Sequence, residues 1–296
     1  MAENFDLLPN PHLAALGLHS SDILTSELLR RKAGHVVCRI KTRRGWHVLK
    51  WFDTPDALEP KVYTLLAHWG IPTLPIHART DRSLLLEDLE HSRVWRAAEE
   101  ADMSRAETGF AVAEWYRSLH RAGREALKNP ETLPSGLHAW VDDLTGETLA
   151  GAGSRLRLTG KPAWETVLQS IEALKIRAQA CPQTFNYEDF AQENLALSRG
   201  KKSLQAVVFD YDCFTLGAAY SDWRNATYSL EGSARESFAE AYGPVSETEH
   251  RLDMPLSALF GLLVASRRAN VPGWAHPLLE DVENGELERS IQSALD

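Results

Sequence analysis

The chain contains Phe185-Asn186-Tyr187-Glu188-Asp189-Phe190-Ala191-Gln192-Glu193-Asn194-Leu195-Ala196-Leu197 and, a few residues on, Ala206-Val207-Val208-Phe209-Asp210-Tyr211-Asp212. Leu195–Leu197 and Leu204–Phe209 read as two short strands around a turn at Ser198–Lys202. Asp189 and Asn194 stand five apart ahead of the first strand, and Asp210 ends the second, sixteen residues further on. A hairpin of that length brings all three side chains to one end of a sheet. A carboxylate beside a hydroxyl accepts its proton, while an amide carbonyl and a second carboxylate are hard oxygen ligands suited to Mg²⁺. Turn chemistry alone also clusters Asn and Asp, so this stretch must be read with what precedes it.

Upstream, Ile23–Leu29, Val36–Thr42 and Trp46–Phe52 read as strands joined by Arg30–His35 and by Arg43-Arg44-Gly45, an antiparallel meander. Leu58, Val62, Leu65, Leu66 and Trp69 keep helical spacing, with Asp56 as a cap and Gly70 with Pro72 as a stop. Ile71–Ile76 and Ser83–Glu87 are two more strand candidates. Lys50 lies on the third strand in Val48-Leu49-Lys50, and Glu59 follows nine residues later at the start of the helix, where it can pair with Lys50. Leu84-Leu85-Leu86-Glu87-Asp88-Leu89 reads as a strand running into an adenine-binding hinge. A strand lysine, a helix glutamate, a base and two metal-binding groups in this order are the parts protein kinases use.

Beyond Asp88 the pattern turns helical. Ala106, Phe110, Ala113, Tyr116 and Leu119 are spaced for one inward face, and Trp164–Ala180 is a second long helix with Leu168, Ile171, Leu174 and Ala178 inward. Residues 129–162 are rich in Pro, Gly, Ser and Thr and read as loop or short pieces; the tail from Thr248 is largely helical. His120, on the first of these helices, reads as a satisfied structural histidine.

With 296 residues, 44% hydrophobic and 25% charged, the chain has the composition of an ordinary globular protein with one large domain or two lobes. No apolar run approaches the ~18 residues of a membrane span. The acidic start Met1–Asp6 lacks the basic opening of a signal peptide, and Cys38, Cys181 and Cys213 lie far apart, which fits a cytoplasmic protein. There is no Walker A loop, no Gly-x-Gly-x-x-Gly after the first strand, no Gly-x-Ser-x-Gly elbow and no His-Glu-x-x-His helix. The net charge is -9, yet the first 88 residues sum to +1 and hold eight basic residues between positions 28 and 50; the other 208 sum to -10. A local basic segment in an acidic protein suits one anionic ligand, not a nucleic-acid surface.

These stretches, together with Glu59-Pro60-Lys61-Val62-Tyr63, Ser118-Leu119-His120 and Phe209–Asp212 leading to Asp222, resemble the aminoglycoside phosphotransferase family, within the protein-kinase-like fold shared with choline and homoserine kinases. Spore-coat-associated members resemble the Asp189–Asp222 region too. The resemblance spans about residues 23–230. It implies an α+β, two-lobed protein-kinase-like fold: a small antiparallel-sheet N-lobe over 1–88, which binds nucleotide, and a larger, mainly helical C-lobe over 89–296, which holds the catalytic and acceptor groups. It implies an ATP- or GTP-dependent phosphotransferase acting with Mg²⁺ on a small hydroxylated acceptor, neutral or cationic in view of the acidic C-lobe. The alternative is a kinase-fold binding or scaffold protein of weak activity. By the same resemblance Asp189 is the catalytic base, Asn194 and Asp210 hold Mg²⁺, Lys50 contacts the α/β-phosphates and Glu59 steadies it. The backbone at Glu87, Asp88 and Leu89 reads adenine, and Asp222 ties down the catalytic loop. Two positions depart from the family pattern, where His and Gly usually stand: Tyr187, whose hydroxyl can take the histidine's hydrogen-bonding role, and Glu188, which either points away from Asp189 or raises its pKa. Arg30, Arg31 and Lys32 offer charge where the phosphate loop is poor in Gly.

Overall fold

The computed structural model describes residues 10–32, 34–200 and 202–296. The opening Met1–Asp6 and Ala33 of the first turn lie outside them. After a short helix α1 (Asn10–Ala15), β1 (Ile23–Lys32), β2 (His35–Thr42) and β3 (Gly45–Phe52) form the meander, followed by α2 (Leu58–His68), β4 (Ile76–Thr80) and β5 (Ser83–Glu87). The five strands make one antiparallel sheet in the order β1-β2-β3-β5-β4. The arms of the first hairpin run closer to the turn than the sequence suggests: Arg30, Arg31 and Lys32 pair with Val37, Val36 and His35.

Side-chain alternation gives this sheet two faces. Leu49, Trp51, Cys38, Ile40 and Leu85 pack on one face with Leu13 of α1 and Leu16 just after it. Phe52, Leu84 and Leu86 lie on the other face, against Val62, Tyr63 and Leu66 of α2. Each fully buried aliphatic side chain of this layer contributes roughly 1.5–3 kcal/mol. Lys50, between Leu49 and Trp51, is therefore turned to the α2 side.

Ile71–Pro75 does not form the strand that its apolar residues suggest. Pro72 and Pro75 have no N–H to donate to a ladder, so β4 begins only at Ile76. The cap of α2 is Ala57, without a side-chain bond, not Asp56.

The remainder is mainly helical: β6 (Trp95–Ala97), α3 (Ala106–Ala126), α4 (Gly146–Arg155), α5 (Pro162–Ala180), β7 (Gln183–Asn186), β8 (Leu195–Ser198), β9 (Ala206–Val208), β10 (Thr215–Ala218), α6 (Tyr220–Ser229), α7 (Gly232–Tyr242), α8 (Glu247–Ser266), α9 (His276–Glu283) and α10 (Glu286–Leu295). On α3, Ala113, Tyr116 and Leu119 are buried, but Phe110 is 54% exposed. It falls on the outer side of the helix, while Gly109 beside it meets the Ala234 backbone of α7. The region 129–162 holds a ten-residue helix, α4, capped by Thr145, whose hydroxyl accepts from Thr148 N–H at 3.1 Å. No helix among the described residues is long and apolar enough to cross a membrane.

Candidate active site

Two antiparallel pairs build the floor of the site. β8 pairs with β9, and β7 with β10. The loop from Tyr187 to Ala191 leaves β7 and enters β8, so it is held at both ends. Asp222, in the first turn of α6 and wholly buried, accepts the N–H groups of Tyr187 at 3.0 Å and Glu188 at 2.9 Å. His120 donates Nε2–H to Asp222 at 3.0 Å and its Nδ1 bonds the Tyr242 hydroxyl at 2.8 Å, the satisfied histidine expected of it. The Tyr187 hydroxyl donates to the Phe209 carbonyl at 2.5 Å, fastening the loop to the end of β9.

Asn194 Nδ2 donates to Asp189 Oδ2 at 2.8 Å and to the Asp189 carbonyl at 3.0 Å. Burial first, then the nearby Asp210 charge, pushes the Asp189 carboxyl above its ordinary pKa. The five-residue spacing thus places carboxylate and amide side by side.

Lys50 is 4% exposed and forms an ion pair with Glu59 of α2. Its Nζ also lies 2.6 Å from Asp210 Oδ1 and 3.5 Å from Asp212 Oδ1. Burial alone would lower the lysine pKa; Glu59, Asp210 and Asp212 outweigh it and raise the value. Glu59 is pushed up to about 8, by burial first and against the pull of Lys50, with Asp212 and Asp210 adding to the rise. Asp212 is lowered, since Lys50 and a hydrogen bond with Glu59 overcome its burial. Arg30 reaches Asp210 at 3.7 Å, so one member of the basic segment does face this cluster.

A cavity of about 710 Å³ runs from Lys50, Glu59, Asn194 and Asp210 to Glu87, Asp88 and Leu89. Glu87 N–H is taken by the Pro75 carbonyl at 2.9 Å, and the Asp88 carbonyl accepts from His91 and Ser92. Asp88 is buried with its carboxylate 3.1 Å from Arg39 Nε and 2.6 Å from His91 Nδ1. Arg39 also meets Glu27 and Glu90, and so binds the connection after β5 to the middle of β2.

Glu188 points away from Asp189. Its backbone is left-handed (φ 62°) and its Oε2 accepts from Asn225 Nδ2 at 2.9 Å. Burial, then the charge of Asp222, pushes its carboxyl up to about 8. A second cavity, of about 720 Å³, opens on this side, with Glu188, Asp212 and Cys213 at its inner end.

Sequence reading named Lys50, Glu59, Glu87, Asp88, Leu89, Asp189, Asn194 and Asp210, and all but Asp189 line the first cavity; Asp189 is reached through Asn194. It gave no contact to Asp212, and it placed His35 in a turn. His35 in fact begins β2, is 7% exposed, and has Nδ1 3.5 Å from Asp212 Oδ2. The Asp-x-Asp spacing of 210–212 was the available signal.

No family model matches the chain, and no curated protein matches it in sequence. Solved structures do match its fold. It is similar to the apoenzyme of a macrolide 2'-phosphotransferase from Brachybacterium faecium, at 15% identity over 98% of this chain and 97% of that one, with a TM-score of 0.56. It is similar to a choline kinase from Cryptosporidium parvum at 12% identity over 93% and 92%, TM-score 0.58. It is also similar to an aminoglycoside 2'-phosphotransferase-IIIa solved with GDP, at 12% identity over 90% and 94%, TM-score 0.59. The chain therefore has the kinase-like fold of the aminoglycoside phosphotransferases and choline kinases: an antiparallel sheet first, helices after.

Proposed function

We propose that the protein transfers the γ-phosphoryl group of a purine nucleoside triphosphate to a hydroxyl of a small molecule. The observation that carries this reading is the meeting of Lys50 and Glu59 with Asp210, from opposite parts of the chain, in a cleft that also holds Asn194 hydrogen-bonded to Asp189. On this reading residues 1–88 are the nucleotide lobe and 89–296 the catalytic and acceptor lobe.

The purine lies toward Glu87–Leu89. Leu89 N–H makes no hydrogen bond among the described residues and is the donor left to meet a ring nitrogen. Lys50, held by Glu59, places its ammonium on the α/β-phosphates. Asp189 orients the acceptor hydroxyl and takes its proton as that oxygen bonds to the γ-phosphorus and the bond to the β-phosphate oxygen breaks. Positioning and electrostatics supply most of the rate.

The residues present fit a divalent cation. Glu59, Asp210 and Asp212 each bring a carboxylate oxygen within 4.8 Å of the others, and the buried Glu59 Oε1 lacks a donor. Asn194 lines the same cavity as Glu59 and Asp210, and it is its Nδ2 that bonds Asp189. Asp210 and Asn194 would hold Mg²⁺, which supplies charge neutralisation of the phosphates when bound.

The test is calorimetric titration with ATP and GTP, each with and without Mg²⁺, followed by a screen for phosphoryl transfer to hydroxylated small molecules. Magnesium-dependent binding with transfer supports the reading. Magnesium-dependent binding without transfer to any acceptor points instead to the kinase-fold binding protein.

A further inference from the structure

The second cavity shows what kind of acceptor its walls would hold; this inference rests on the phosphotransferase reading. The cavity is lined by Glu188 of the Asp189 loop together with Asp212 and Cys213, and encloses about 720 Å³, the size of a small-molecule site. Its walls are Leu58, Trp140, Phe214, Phe260, Val264 and Trp274. Trp140 and Phe260 meet edge-to-face with ring centroids 5.5 Å apart. On α8, Ser257, Phe260, Gly261 and Val264 keep 3–4 spacing along the cavity side and are only partly buried, while Leu256, Leu259, Leu262 and Leu263 of the same helix are in the core. Trp274, beyond that helix, is 53% exposed. Phe260 and Trp140 lie at the edge of the same core as those leucines and are only partly covered, so with Val264 and Trp274 they present a surface for an apolar ligand.

The charged groups in these walls are mostly satisfied by the protein itself. Arg224 is paired with the buried Asp253 at 2.6 Å. Glu188 Oε2 is held by Asn225, and burial raises its pKa, which favours the uncharged form. Asp212 is turned to Lys50 and His35. Among the described lining residues, Asp143 meets a histidine, His138 at 3.5 Å, and the buried Glu188 Oε1 has no hydrogen-bond partner. A polycation entering here would lose hydration without finding carboxylates to replace it, which costs several kcal/mol per uncompensated charge.

We infer that the acceptor is a hydroxylated molecule with an apolar ring body, neutral or carrying a single positive charge, seated against the joined Trp140–Phe260 pair and Val264 of α8. A polycationic amino sugar is the wrong shape of charge for this cavity.

The test uses four probes: 2-naphthaleneethanol (neutral), phenylethanolamine (one positive charge), kanamycin (polycationic) and glucose 6-phosphate (anionic). Binding to the intact protein is measured by calorimetry at low and at physiological salt, and phosphoryl transfer with ATP and Mg²⁺. The expected result is that the two aryl alcohols bind at least tenfold more tightly than the other two, with little salt dependence for the neutral one. Trp140→Ala and, at the exposed position, Trp274→Ala should each weaken aryl-alcohol binding about tenfold while nucleotide affinity is unchanged. Tightest binding by kanamycin or glucose 6-phosphate, absence of aryl-alcohol binding, or indifference to both substitutions overturns the inference. Aryl-alcohol binding lost in both variants, but with no transfer to any probe, upholds the cavity's chemistry and counts against the phosphotransferase reading instead.

Discussion

Lys50 Nζ and Asp210 Oδ1 lie 2.6 Å apart although 160 residues separate them in the chain. The contact joins β3 to the segment after β9, and Glu59 completes it from α2. Three carboxylates share one ammonium here, so that ammonium stabilises the cluster.

Lys50→Met removes the only lysine in the cluster and leaves Glu59, Asp210 and Asp212 facing one another. It should destabilise the fold by about 3–5 kcal/mol and weaken nucleotide binding. Chemical denaturation and calorimetry read the two effects. Wild-type stability in this variant would show that the carboxylates do not depend on Lys50.

Asp189→Asn keeps the size of the side chain and removes the base. Turnover should fall by orders of magnitude, and nucleotide affinity should change less than threefold, because the proposed function has Asp189 orient the acceptor and not the nucleotide. Asp210→Ala should do the reverse in binding: the gain in nucleotide affinity given by Mg²⁺ should vanish. Equal losses of nucleotide affinity in the two variants would contradict this division of roles.

Asp222 holds the N–H groups of Tyr187 and Glu188 and the imidazole of His120. Asp222→Ala leaves these buried donors unpaired and should cost roughly 2–4 kcal/mol. Tyr187→Phe loses a single bond to the Phe209 carbonyl and should cost about 1 kcal/mol. Urea unfolding of both variants checks the ranking.

Glu188 gives the fold a pH dependence. Its carboxyl has an ordinary value of 4.5 and is raised to about 8 by burial. The folded state therefore keeps a proton that the unfolded state releases. That contribution to stability is full below the unfolded pKa, declines as pH rises from about 4.5, and is gone above about 8. The loss should amount to several kcal/mol, since each pKa unit of difference is worth about 1.4 kcal/mol, and Glu188→Gln should flatten the profile across this window. Glu188→Gly should also relieve the left-handed backbone, worth about 1 kcal/mol. A wild-type profile unchanged by Glu188→Gln would remove this group from the account.

The sheet was legible because strand alternation, short turns and the Lys50–Glu59 spacing are local signals. So were Asp189, Asn194 and Asp210, whose spacing survives as geometry. The weaker readings involved information that sequence does not carry locally. β7 and β10 pair with each other across more than 25 residues, each is four residues long, and β10 adds one bridge, from Leu216 to Ala139. The outward turn of Phe110 is set by the approach of α7 to Gly109. The α4 helix lies in a Gly-rich stretch, where packing of Leu149 and Ala152 against the C-terminal helical core overrides weak propensity. Glu188 could be seen as a departure at the catalytic loop, but its direction toward Asn225 could not.

The most direct measurement of the central claim is transfer of labelled γ-phosphate from ATP or GTP, with Mg²⁺, to a panel of small hydroxylated molecules, run in parallel with wild type and Asp189→Asn. The account predicts a phosphorylated product with wild type and a loss of at least a hundredfold with Asp189→Asn at unchanged nucleotide affinity. Product formed equally by both proteins, or nucleotide binding by neither, would contradict it.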